Sequence, residues 1–165
     1  MSSIAIHSLD SAYRAWAETF ITQHWGSLRQ VSRGKLYDVL DYPGLVGLAD
    51  GQPVGIVIYH VEGEACEILL LHSAAEGQGV GSALVDAVKE RAVGAGCSRL
   101  WLITTNDNLH AIRWYQRRGF TIAAVHVNAL AESRKLKPEI PLIGFEGIPL
   151  RDEIEFEIRL TLSPV

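Results

Sequence analysis

"EILLLHSAAEGQGVGSALV", Glu67 to Val85, runs from an apolar, strand-like segment through a loop with glycine at 77, 79 and 81 into a helical pattern. That succession decides how the rest of the chain is read. Val80, Leu84, Val88 and Ala92 recur every fourth residue, with Asp86, Lys89 and Glu90 off the stripe, so a helix begins at the loop. Gly94 and Gly96 stop it. Glycine lets the backbone approach a partner closely and leaves amide groups free to point one way. The helix behind adds a partial positive charge of roughly half a unit and several unpaired N–H donors. Together these suit a phosphate or pyrophosphate, although a tight turn that binds nothing has the same local pattern.

Two phosphate-binding motifs fail on the residues. A P-loop needs Gly-Lys followed by Ser or Thr, and here the loop continues Gly81-Ser82-Ala83. A dinucleotide fingerprint needs GxGxxG, but Leu84 stands at the third glycine position counted from Gly79. Such a fingerprint also belongs to the first βα unit of a chain, whereas this loop follows a run of strands.

Outward from the loop, "GLVGLAD" and "PVGIVIYHV" flank Asp50-Gly51 as a β-hairpin, and "EGEA" turns the chain into "CEILLL". Further upstream, Ile4 to His7 reads as a strand. Tyr13, Trp16, Ala17 and Phe20 predict a helix over Ser11 to His24, and a shorter helix is expected over Gly34 to Leu40. Downstream, "RLWLITT" is a buried strand and "NDNLHAIRWYQRRGF" a helix. Asn106 or Asp107 is expected to cap that helix, Arg117 and Arg118 suit its last turn, and Gly119 ends it. "FTIAAVHV" is another strand. Residues 129–150 read as a short helix followed by a Pro/Gly-rich excursion, and "EIEFEIRL" alternates as a half-exposed strand. The whole, residues 1–165, reads as a single α/β or α+β domain with a mixed sheet.

Composition excludes several classes. The 165 residues are 48% hydrophobic and 21% charged, with a net charge of −4, which gives no support for nucleic-acid binding. No apolar run reaches membrane-spanning length, and Met1 to Asp10 lacks a basic start followed by an apolar core, so a cytoplasmic location is expected. Cys66 and Cys97 stand alone among apolar neighbours, as buried structural thiols do, and no metal-ligand spacing is present.

"EILLLHSAAEGQGVGSALV", followed by "TNDNLHAIRWYQRRGF", resembles the GCN5-related N-acetyltransferases over roughly Leu48 to Val127. The glycine loop is similar to their pyrophosphate arm, written Q/R-x-x-G-x-G/A. Gly79 and Gly81 match it, and Glu76 stands where the family has Gln or Arg. The second block matches N-x-x-A-x-x-x-Y followed by Gly-Phe. The resemblance implies a mostly antiparallel central sheet of about seven strands flanked by helices, with two splayed parallel strands in the middle. It also implies acetyl-CoA as co-substrate. Pantetheine would pair with backbone at Leu69, Leu70 and Leu71. The pyrophosphate would lie on the amides of Gly77, Gln78, Gly79, Val80, Gly81 and Ser82, with Asn108 and Tyr115 touching the cofactor.

The implied reaction is acetyl transfer to a primary amine of a small molecule or peptide, by direct attack with acid and base assistance. Asn108, Ala111, Ile112 and Tyr115 share a helix face, and the resemblance makes Tyr115 the acid that meets the departing sulfur. Glu67 is the candidate base: a carboxylate in an apolar strand costs free energy unless paired or neutralised, and desolvation lifts its pKa. The other reading of Glu67 is an edge-exposed or salt-bridged side chain. Strict alternation puts Glu67 on one face with Leu69 and Leu71, and His72 on the opposite face.

For the acceptor side, Trp25, Tyr37 and Tyr42 are lining candidates, and Arg29 and Arg33 are candidate anion contacts, with ordinary packing the simpler reading. Glu153, Glu155 and Glu157 form a carboxylate row able to attract a polyamine or aminoglycoside, or else the wet face of an edge strand. "SRKLKPEIPLIGFEGIPL" would cover the cleft or an apolar homodimer contact, and the pattern does not separate the two. A non-catalytic acyl-CoA-binding module is the alternative function, and a plain nucleotide-phosphate binder a third.

Overall fold

Apolar periodicity, turn glycines and two faces of buried side chains generate a mixed sheet with helices on both sides. The computed structural model describes residues 3–161. The chain opens with β1 (Ile4–Ser8), α1 (Arg14–Trp25), β2 (Arg29–Ser32), β3 (Lys35–Asp38), β4 (Gly44–Ala49), β5 (Gln52–Glu62) and β6 (Ala65–Ser73). It continues with α2 (Val80–Gly94), β7 (Arg99–Thr105), α3 (Leu109–Arg117), β8 (Thr121–His126), α4 (Ala129–Leu136) and β9 (Glu153–Arg159). Seven strands form one sheet in the order β1-β4-β5-β6-β7-β9-β8, and β2 and β3 form a separate hairpin. Only β6 and β7 run parallel in that sheet.

The helix expected over Gly34 to Leu40 is instead the second arm of the β2–β3 hairpin, with a single turn of 3-10 helix after it. Ser32 pairs with Lys35, so the turn is the two residues Arg33 and Gly34, both at positive φ, 48° and 76°. Two consecutive left-handed residues match the twist of a tight hairpin and are incompatible with a helix through the same positions.

One face of the sheet packs against α1 through Ala17, Phe20, Ile21, Ile56, Ile58 and Leu70. The other packs against α2 and α3 through Val57, Ile68, Leu84, Val88, Tyr115 and Phe156. Gly47 and Gly55 lie side by side on β4 and β5. A Cβ at either would meet Val80 Cγ1, at 2.6 and 2.9 Å. Two bare backbones therefore let the first turn of α2 seat directly on the sheet, which places the glycine loop at the end of β6.

A register shift between Ile58 and Tyr59 leaves Leu69 as the extra residue of a bulge on β6, because Ile58 pairs with Leu70 and Tyr59 with Ile68. This overturns the strict alternation drawn from sequence. Ile68 and Leu71 pack on the α2 face, whereas Leu70 packs on the α1 face. His72, two residues on from Leu70, meets Phe20 and His24 of α1. Glu67 and His72 therefore share a face, and Leu71 does not share it with them.

Candidate active site

The parallel ladder between β6 and β7 stops at Ile68–Leu102, one residue before the bulge. β6 continues to Ser73 and β7 to Thr105, so their facing edges part beyond that point. A cleft of about 210 Å³ opens there, with Glu67 and Leu69 from β6, Ile103 to Thr105 from β7, and Asn108 at its wall. Trp25, the β2–β3 hairpin, α4 and the segment from Lys137 to Leu150 enclose the α1 side.

The glycine loop lies at the end of β6. Gly77 and Gly79 hold φ values of 75° and 83°, in the region that penalises any side chain. Gly81 abuts Trp114, whose ring would be 3.1 Å from an added Cβ. Arg118 stacks over that ring at 3.6 Å and donates from Nε to Ser82 Oγ at 2.9 Å. The guanidinium expected only to suit a helix end thus locks α3 to the first turn of α2. Glu76 is exposed, with its carboxylate outside the packed part of the loop. Ser73 Oγ, just before the loop, is buried without a hydrogen-bond partner. An orphaned hydroxyl, left-handed glycines and the free N–H groups of α2 together fit an anionic, phosphate-bearing molecule.

Glu67 is 4% exposed and accepts a hydrogen bond from Ser32 Oγ at 2.5 Å. Burial pushes its carboxyl up to about 7; the Ser32 hydrogen bond opposes this, Glu153 and Glu155 add to it, and Lys35 opposes it. It is neither edge-exposed nor within ion-pair distance of any cation among the described residues. Tyr115 is 8% exposed, packed between Phe120 and Phe156, and burial raises its phenol above the ordinary tyrosine range. Since Tyr115 packs with Ile68 and Glu67 alternates with Ile68, the two groups stand on opposite faces of the sheet.

The Asn-Asp-Asn run divides its work differently from expectation. Asn108, not Asn106 or Asp107, caps α3, its side chain accepting from the Ala111 amide at 3.1 Å. Asn106 is spent on the far segment, donating to the Pro149 carbonyl and accepting from the Arg151 and Asp152 amides. Asp107 accepts from the Thr105 hydroxyl and the Phe145 amide. Gly144 passes so close to Asp107 that a Cβ there would overlap the carboxylate. Arg134 adds donations to the Ile140, Pro141 and Leu150 carbonyls. These bonds hold the Pro/Gly-rich excursion against the cleft, while Leu142, Ile143 and Phe145 remain exposed.

The β9 carboxylate row is not the wet face of an edge strand. β9 lies between β7 and β8. Glu153 is 2% exposed and pairs with Arg33 at 2.8 Å, Glu157 pairs with Arg99 at 2.7 Å, and Glu155 bonds Arg99 and, at 3.0 Å, His126. Of the acceptor-side candidates, Trp25 lines the cleft, whereas Tyr37 and Tyr42 pack on each other and on His60. Arg29 accepts from Lys137 at its carbonyl and donates its amide to Ser27 Oγ, and its guanidinium is in no hydrogen bond or ion pair among the described residues. Ser32 and Arg118 carried no motif signal, because their partners Glu67 and Ser82 are distant in sequence.

Cys66 and Cys97 are buried and unpaired, and burial pushes the Cys66 thiol up to about 12, far from nucleophilic. Among the described residues no cluster of His, Cys, Asp and Glu could hold a metal, and no helix is long and apolar enough to cross a membrane.

Comparison with known proteins converges on one family. The sequence model of the acetyltransferase (GNAT) family matches residues 9–120. The uncharacterised protein YdhI of Bacillus subtilis (strain 168) is 41% identical over 138 residues, covering 83% of this chain and 86% of its own. An IAA acetyltransferase from Bacillus cereus superposes with a TM-score of 0.71 at 22% identity, over 96% of this chain and 100% of that one. A GNAT family acetyltransferase from Elizabethkingia anophelis, with acetyl-CoA bound, gives 0.67 at 20% identity over 95% and 98%.

Proposed function

Because this chain belongs to the acetyltransferase (GNAT) family, we propose that it is an N-acetyltransferase that moves an acetyl group from acetyl-CoA to a primary amine. One observation carries the reading: the β6–β7 ladder ends at Ile68–Leu102, β6 runs on from there into a glycine loop, and a buried carboxyl lines the opening. The divergent edge at Leu69 to Leu71 offers backbone groups to the pantetheine arm. The amides of Gly77 and of Gly79 to Ser82 take the pyrophosphate, the Gln78 amide being turned to the Ala75 carbonyl at 3.4 Å, and Asn108 and Tyr115 flank the thioester end. The neighbour from Elizabethkingia anophelis binds acetyl-CoA on the same fold.

Bound acetyl-CoA supplies an activated carbonyl and a thiolate leaving group. Glu67 does the rest of the proton work on the acceptor side. With its carboxyl at about 7, it is half-ionised near neutrality and can take a proton from an incoming ammonium. Ser32 fixes one carboxylate oxygen and leaves the other for the acceptor. Tyr115 stands on the other face, where the sulfur departs. A phenol raised by burial holds its proton tightly, so it serves by hydrogen bonding to developing negative charge more than by outright transfer. Much of the remaining acceleration comes from holding amine and thioester together.

A calorimetric titration with acetyl-CoA, followed by thiol release in the presence of a mixed amine panel, tests this reading. Binding with amine-dependent thiol release supports it. Binding with no release across the panel would favour a non-catalytic acyl-CoA-binding module, and no binding would sink both.

A further inference from the structure

Resting on the transferase reading, the chemistry of the cleft narrows the acceptor. Most of its polar side chains already have internal partners; among the described residues the Thr104 hydroxyl and the Trp25 indole N–H are left without one. Gln30 donates to the Ser27 carbonyl, Ser133 to the Ala129 carbonyl at 3.2 Å, and Lys137 to the Arg29 carbonyl at 2.8 Å. Asn108 caps α3, and Ser32 is bonded to Glu67. Of the two carboxylates in the lining, Glu153 is neutralised by Arg33 at 2.8 Å. Glu67 alone faces the space without a cation. Apart from the hydroxyls of Thr104 and Thr105, the rest of the wall is hydrocarbon and indole, including Trp25, Ile103, Leu130, Ile140 and Leu150. At about 210 Å³, the space falls below the ~300 Å³ at which drug-sized sites begin.

We propose that the acceptor is a small apolar monoamine, an aliphatic or arylalkyl primary amine. Its one ammonium group meets Glu67, and its hydrocarbon body lies against Leu130, Ile140 and Leu150. A polyamine or aminoglycoside would bring further cations into a wall with no unpaired carboxylate to receive them, and desolvating such charges is costly. A peptide would bring backbone amides that the side chains of Leu130, Ile140 and Leu150 cannot pair. The β9 row, the other apparent attractor for polycations, is satisfied by Arg33, Arg99 and His126.

The experiment compares kcat/KM for thiol release at saturating acetyl-CoA. The acceptors are propyl-, butyl-, pentyl- and hexylamine, phenethylamine, spermidine, a deoxystreptamine aminoglycoside and a tetrapeptide with a free α-amine. The proposal expects the apolar monoamines to exceed the other classes by at least about tenfold, and a gain of about three- to fourfold per methylene until the cleft fills. Ile140→Ala should flatten that gradient, and Ile140→Asp should lower phenethylamine turnover more than spermidine turnover. Preference for spermidine, the aminoglycoside or the peptide, or a flat methylene series in the native chain, overturns the inference and leaves the transferase reading standing. No transfer to any class overturns the transferase reading, and this inference with it.

Discussion

Ser32 on the β2–β3 hairpin donates a 2.5 Å hydrogen bond to Glu67 on β6, with both side chains buried. A hairpin outside the main sheet thus fixes the orientation of the one carboxyl that, among the described residues, lines the cleft without a cation. The bond also favours the ionised form of Glu67 and partly offsets burial.

Removing that bond should weaken the base without removing it. In Ser32→Ala the ascending limb of the kcat/KM profile moves to higher pH, and turnover at pH 7 falls roughly three- to tenfold, less than the ~10² or more expected for loss of a general base. Ser32→Thr retains the hydroxyl and should restore the native limb. An unmoved limb in Ser32→Ala would show that Glu67 does not set the profile.

Glu67 also makes stability depend on pH. The unfolded chain releases this proton near the ordinary glutamate value and the native state holds it to about 7. Native protein therefore binds more protons between those values, and stability falls as pH rises through that window. Above it the native state carries a penalty of about 2–4 kcal/mol from the buried carboxylate. Glu67→Gln should melt higher than native protein at pH 8.5 and lose that advantage at pH 5. The groups facing Glu67 (Ser32, Lys35, Glu153 and Glu155) are unchanged in the variant, so differential scanning calorimetry at the two pH values isolates this carboxyl.

Gly79 sits at φ 83° as the residue before α2, with only Ile4 Cδ1, at 3.7 Å, near an added Cβ. Space is therefore not the obstacle; the backbone conformation is. Gly79→Ala should cost about 1–2 kcal/mol of stability and weaken acetyl-CoA binding by relaxing the loop. The affinity for a short acyl thioester lacking the phosphates should stay unchanged. Equal loss for both donors in calorimetry would place the effect outside the phosphate cradle.

The Arg33–Glu153 pair joins the hairpin turn to β9, an interior strand next to the sheet edge, with Glu153 at 2% exposure and Arg33 at 40%. Arg33→Met leaves a buried carboxylate unpaired and should destabilise by about 2–4 kcal/mol in urea unfolding. An unchanged midpoint would show that solvent reaches Glu153 without its partner.

The parts of this architecture set by neighbours in sequence were legible in advance. The Asp50-Gly51 hairpin, the α2 stripe and the glycine loop each rest on residues within a few positions of one another. The hairpin at Arg33-Gly34 was not legible, because arginine seldom takes the left-handed conformation that the turn requires. Lys35 to Asp38 alone suit helix or strand. The bulge at Leu69 left no mark in "CEILLL", so strict alternation carried Leu71 and His72 to the wrong faces. The row Glu153, Glu155 and Glu157 reads as solvated until strand order places β9 between β7 and β8 and brings Arg33, Arg99 and His126 to it. Asn106, Asp107 and Asn108 could be recognised as chemistry-bearing, but which one capped α3 depended on contacts with residues 144–152.

The decisive measurement is the pH dependence of acetyl transfer from acetyl-CoA to phenethylamine, in native protein and in Glu67→Gln. The native kcat/KM profile should show an ascending limb near pH 7, separate from the amine's own ionisation. In Glu67→Gln that limb should vanish and the rate fall by about 10²–10³, with acetyl-CoA affinity preserved. A variant that keeps both the limb and the rate would contradict it.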